Sequence, residues 1–201
     1  KNVAKYGATA AVGIGYIGLK LAKTAEDAQV ADRAMLQVAT SMGLFGAQTQ
    51  QVVDRLTALA SKQQMSLGID EDVIKATQTK LLTFKNLAVT ADEVGGAFDR
   101  TTMAAMDLAA AGFGEAEQNA VALGKALNDP IKGITALGRA GVTFTEQEKA
   151  KIKTLVESNR MLEAQDIILK AIEMQVGGAA LATSDASARM KESWSQLKEA
   201  F

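Results

Sequence analysis

Reactive chemistry in this chain has to come from carboxylates, lysines and hydroxyls, because the sequence contains no histidine and no cysteine. That removes the commonest general base, the commonest metal ligand and every thiol nucleophile. The candidate acidic groupings are Glu26-Asp27, Asp70-Glu71-Asp72 and the pair Glu146 and Glu148. Paired carboxylates can bind a cation or share acid–base work. The same residues at the start of a helix are stabilised by the helix dipole and need no ligand. Lys149, Lys151 and Lys153 form a short basic run on a capped helix, which reads as a solvated face; without interleaved aromatics, three lysines are weak evidence for a nucleic-acid contact. Ser195 and Lys198 match S-x-x-K formally, but no companion motif supports a nucleophilic serine. Gly13, Gly15 and Gly18 spell G-x-G-x-x-G. A dinucleotide site needs a strand before the glycines and a second strand ending in an acidic residue. The residues after Gly18 are helical in composition, so the glycines read as a small-residue face for close helix packing. No catalytic, cofactor-binding or metal-binding residue is assigned.

The elements that would position these residues are helices. A single proline in 201 residues favours long helices, and the aromatic share of 4% points to alanine-rich interfaces rather than a thick aromatic core. Lys+Arg 22 against Asp+Glu 23 leaves a net charge of -1, so no global field draws the chain to nucleic acid or an anionic membrane. Residues 6–19 are uncharged between Lys5 and Lys20. As a helix they would rise about 21 Å, short of a ~30 Å hydrocarbon core. They read as a packing helix or as a stretch that meets a membrane. No signal peptide is evident. The first residue is a lysine and the last lies in a helical pattern, so the expectation is a piece of a longer polypeptide.

In chain order, residues 24–40 predict a helix with Val30, Ala34, Val38 and Met42 along its inner side, broken at Gly43 to Gly46. Residues 49–64 predict a second, with Val52, Val53, Leu56, Leu59 and Ala60 as its stripe. Asp70 caps a third, with Ile69 and Ile74 as a hydrophobic staple and Ile74, Leu81, Leu82 and Phe84 facing inward. Thr90 with Glu93 reads as a capping box for a fourth, stapled by Val89 and Val94 and carrying Met103, Met106 and Leu108. Gly112 and Gly114 separate it from a fifth over 115–127. At the end, Ser184-Asp185 is a cap, and Met190, Trp194, Leu197 and Phe201 form a coiled-coil-like seam.

The strongest local signals fall between Asn119 and Gly178. Asp129 can cap a helix with Pro130 at its first position, where a missing N–H costs nothing. Gly141 supplies a left-handed stop. Val142, Thr143 and Phe144 are extended in character but too few for a strand. Thr145 and Glu148 form a capping box, and Ile152, Leu155 and Val156 come next on one face. A further helix carries Leu162, Ile168, Ile172 and Val176 and stops at Gly177-Gly178.

That segment resembles one found in tape measure proteins of long-tailed phages and prophages. The resemblance rests on Asn128-Asp129-Pro130-Ile131-Lys132-Gly133, Ala136-Leu137, Gly141-Val142-Thr143-Phe144-Thr145, Gln147, Ile152-Lys153, Ala164-Gln165, Ile168-Leu169 and Gly177-Gly178, in that order. With Glu148, these are the motif positions expected to be structural. The resemblance implies an all-α segment of elongated or loosely bundled helices with short glycine turns, able to assemble as a coiled coil. It implies an Ala/Gly-rich helical region over 1–112, the motif over 113–178 and a C-terminal helix over 179–201. It further implies a non-enzymatic part of a siphovirus-type tail that sets tail length during assembly and leaves ahead of the DNA at genome ejection. Implied partners are the tail tube protein, distal tail and tail-tip proteins, and tail assembly chaperones. A homo-oligomer, with a trimer as one form, is implied as well. Residues 6–19 would be the membrane contact, and sequence-specific nucleic acid binding is not expected. The implied location is the virion, in the tail tube lumen or tip, after assembly in the host cytoplasm. Two other readings are a membrane-inserting helical module and a cell-wall-hydrolase-associated segment assisting genome delivery.

Overall fold

The computed structural model describes residues 29–43, 45–139 and 142–184. Among them every regular element is helical and none is a strand, so the fold is all-α. The elements are α1 (residues 29–42), a 3-10 turn (Gly46–Gln48), α2 (Thr49–Leu67), α3 (Glu71–Leu82), α4 (Lys85–Ala88), α5 (Ala97–Ala110), α6 (Ala116–Asn128), α7 (Pro130–Arg139), α8 (Glu146–Glu157), α9 (Met161–Val176) and α10 (residues 179–184). The stretch 6–19, Glu26-Asp27, Gly141 and the seam from Met190 to Phe201 lie outside the described residues.

Helix α6 is the hub and packs against α3, α4, α5 and α7. Its inner positions are Ala120, Leu123, Gly124, Ala126 and Leu127. The small ones matter most. A Cβ on Gly124 would lie 2.2 Å from the Phe84 ring, so the ring lies directly on the helix backbone. Burial of Ala104, Ala105, Ala120 and Ala126 likewise brings helices close, as the alanine-rich composition requires.

One apolar cluster runs from Met35 on α1 to Ile172 on α9 and includes Leu56, Leu81, Phe98, Leu123, Ile152 and Ile168. It joins residues on both sides of position 112. A second, smaller cluster holds Ala60, Leu67, Ile74, Met106, Ala116 and Ala180. Asp70 accepts from the Asp72 N–H at 2.9 Å, and Ile69 packs against the second cluster, of which Ile74 is a member. The cap expected there is present, and both staple residues belong to the same apolar region.

Three expectations require correction. On α1 the buried residues are Met35 and Ala39, with Val38 of the expected set half-buried against the main cluster and Met42 half-buried, while Val30 and Ala34 are exposed. The apolar residues of this helix occupy adjacent sides, and the face is chosen by its partners: Asp32 reaches the Lys75 ammonium at 2.8 Å. Residues 89–96 are turns rather than the start of a helix, and Val89 and Val94 are exposed. Gly95 at φ +71 and extended Gly96 delay the helix to Ala97. Leu162 is exposed, and Gln165 takes the inner position in the opening turns of α9.

Candidate functional site: the α6–α7 corner and its polar lock

Only Asp129 separates α6 from α7. The chain turns there because Pro130 cannot continue α6 but fits the first position of α7. The Asp129 carboxylate accepts from the Lys132 N–H at 3.5 Å and pairs with the Lys132 ammonium at 2.9 Å. That side-chain bond, more than the backbone one, holds the Asp129 carboxyl below its ordinary pKa. Past the corner the two helices touch at the backbone. A Cβ at Gly133 would lie 2.2 Å from the Ala126 Cα, so glycine is what permits the approach.

A set of amides fixes this corner to the rest of the bundle. Asn128 Oδ1 accepts from the Asn86 N–H at 3.0 Å, and Asn86 Nδ2 donates to the Asn128 carbonyl at 2.9 Å. Gln165, fully buried on α9, donates from Nε2 to the Asn86 carbonyl at 2.9 Å and to the Leu127 carbonyl at 3.0 Å. Three helices are therefore tied at one point: α4, the end of α6, and α9. The Gln165 Oε1 atom is buried without a hydrogen-bond partner.

Farther along, the Val142 N–H donates to the Leu137 carbonyl at 3.0 Å, closing the end of α7. Residues 142–145, between α7 and α8, belong to no regular element and are held at Thr143 by Gln175 of α9. Its Oε1 accepts from the Thr143 N–H at 3.0 Å, and its Nε2 donates to the Thr143 carbonyl at 3.1 Å. A side-chain amide thus satisfies both backbone polar groups of Thr143, while Phe144 is buried in the main cluster. Thr145 and Glu148 form the reciprocal capping box. The Thr145 N–H is the main reason the Glu148 carboxyl sits below its usual range. Gln147 is exposed on α8. Gly177 and Gly178 end α9, with Gly178 at φ +83.

Most of the described acidic and basic residues singled out above take part in ion pairs or caps, and Lys151 is exposed on α8. Glu71 and Asp32 both bond the buried Lys75 ammonium at 2.8 Å. Burial works against that charge, but the two carboxylates outweigh it, and the Lys75 pKa lies above its ordinary value. Glu146 pairs with Lys149 at 2.7 Å, and Lys153 lies 3.9 Å from Glu157. Arg100 joins α5 to α9 through Glu173 and Asp166, each at 2.7 Å. Among the described residues, no group of three or more His, Cys, Asp or Glu side chains could hold a metal ion. Among them, too, no helix is long and apolar enough to cross a membrane. Apart from the Asp129–Lys132 ion pair and the unpartnered Gln165 Oε1, the corner's polar side chains bond backbone N–H and C=O groups, an arrangement suited to joining helices.

Sequence reasoning missed one recurring device. Among the described helices whose N-cap residue supplies no side-chain cap, three borrow an acceptor for the second N–H from elsewhere. Asn128 serves α4 at Asn86. Thr90 Oγ1 serves α5 at Phe98 (3.1 Å), and Asp107 serves α10 at Ala180 (2.9 Å). Phe84, Gly96 and Gly178 at the cap positions are the available signal: they leave orphan donors that must be satisfied somewhere.

No protein-family model matches the chain, and no curated protein or solved structure does either.

Proposed function

We propose that this chain is a structural segment of a tail tape measure protein of a long-tailed phage or prophage, acting in tail assembly and length determination. The observation that carries the reading is the ordered motif from Asn128 to Gly178. Its polar members serve as joints: Asp129 caps, Asn128 and Gln165 tie three helices, and Thr145 with Glu148 starts α8. A scaffold needs such joints and needs no reaction centre, which fits a sequence without histidine or cysteine. The implied partners are the tail tube and tail-tip proteins, with assembly chaperones acting before the virion is complete.

The test is an in-frame deletion of residues 119–178 in the phage or prophage that encodes the chain. A 60-residue segment spanning as helix contributes about 90 Å, so electron micrographs should show tails shorter by roughly that length. Viable particles with unchanged tails would sink the ruler role. Purified tails that lack this chain by mass spectrometry would sink the wider reading.

A further inference from the structure

We propose that α10 is a hinged strap, able to lift from the bundle and bare an apolar groove while the main core stays folded. Three independent features point to it. The first is the joint that carries α10. Gly177 follows α9 in an extended conformation, and Gly178 stands at φ +83, where a side chain would be strained. The second is how the helix is held. Gly178 accepts from the Ala182 N–H at 2.9 Å and so occupies the N-cap position, yet it has no side chain to cap with. The Ala180 N–H is instead taken by the buried Asp107 carboxylate of α5, 73 residues away. The start of α10 therefore depends on a group that belongs to another element.

The third feature is what lies beneath. Ala180 is buried in the second cluster, with Leu67, Ile74, Met106 and Ala116, and the main core is complete without it. Leu181, next along, is half exposed. A groove of about 320 Å³ already opens beside the strap, walled by Leu67, Ile69, Val73, Met106 and Ala116, with Thr183 on the α10 side. Lifting α10 removes one small apolar side chain from the cluster and one borrowed cap. Both are minor against the main cluster, so local opening lies well below global unfolding in free energy. The open form would present an enlarged apolar slot at the end of α2 and α5.

Hydrogen exchange on the full chain, read by mass spectrometry, tests this. Amides of residues 179–184 should exchange at least tenfold faster than those around Ile168 and Ile172 of α9. Asp107→Ala should speed residues 179–184 by a further five- to tenfold, the size of a lost N-cap, and raise binding of an apolar dye. Asp107→Asn keeps an acceptor oxygen in place and should stay near the parent. The proposal is overturned if residues 179–184 exchange only together with α9 in the parent chain, a result that needs no variant. It is also overturned if Asp107→Ala speeds both regions equally.

Discussion

Asn86 and Asn128 hold each other by a reciprocal pair of hydrogen bonds across 42 residues of sequence. The Asn86 N–H donates to Asn128 Oδ1 at 3.0 Å, and Asn86 Nδ2 donates back to the Asn128 carbonyl at 2.9 Å. One bond caps the short helix α4. The other satisfies a carbonyl at the end of α6 that has no partner within its own helix. The pair therefore closes two helix ends with two side chains, and Gln165 seals it from the third side.

Asn128→Ala removes the α4 cap and should destabilise the chain by about 1–2 kcal/mol. Asn128→Asp keeps the acceptor oxygen and should lose less than half of that. Urea unfolding midpoints measure both. A midpoint for Asn128→Ala equal to the parent's would mean that water replaces the bond at no cost.

Asp129→Ala should cost about 0.5–1 kcal/mol, the low end for an N-cap, because the Lys132 N–H bond is long at 3.5 Å. Pro130→Ala should cost less than 1 kcal/mol, since proline at the first helical position acts mostly by restricting the unfolded chain. Neither should change helix content in far-UV circular dichroism, because packed apolar faces hold the helices. A large helicity loss in either variant would show that the corner, not the core, maintains α7.

The legible parts of this fold were those whose partners lie within a few residues. The Thr145–Glu148 box, the Asp70 cap with Ile69 and Ile74, and the Asp129-Pro130 start each satisfy their own helix, so spacing alone exposes them. Thr90 with Glu93 has the same spacing but a different fate, because the Thr90 hydroxyl is committed to Phe98 beyond Gly95 and Gly96. The face of α1 is legible only at Val38, because Met35 and Ala39 are selected by the surface they meet, which no local period encodes. Gln165 stood out as a motif residue, but its role needs α4 and α6 already in place.

Stability should fall below about pH 4.3, near the ordinary glutamate pKa. Glu148 and Asp129 both have folded pKa values below their ordinary ones, Glu148 chiefly from the Thr145 N–H and Asp129 chiefly from Lys132. The unfolded chain therefore takes up protons first as pH falls. Their contribution is complete above the unfolded values and is lost as pH drops through the lower folded values. Melting temperature followed from pH 7 to pH 3 should show this, with a shallower acid slope in Glu148→Gln. An identical slope in that variant would remove the capping box from the account.

Two glycines in α7 should respond to alanine with opposite signs. A Cβ at Gly133 would meet the Ala126 Cα at 2.2 Å and its carbonyl oxygen at 2.5 Å. Both are backbone atoms, so relief requires α6 and α7 to move apart at the corner that Asn128 and Gln165 fix. Overpacking of this kind costs about 1–3 kcal/mol or more. A Cβ at Gly138 would meet nothing within 4 Å, and the position is exposed and helical. Alanine there restricts the unfolded chain and favours the helix, so it should stabilise by about 0.4–1 kcal/mol. Propensity pushes both substitutions the same way. A difference in sign between Gly133→Ala and Gly138→Ala, read from thermal or urea unfolding, therefore isolates the close approach of the two helices. If Gly133→Ala is neutral, the corner yields, and the α6–α7 contact is not a fixed joint.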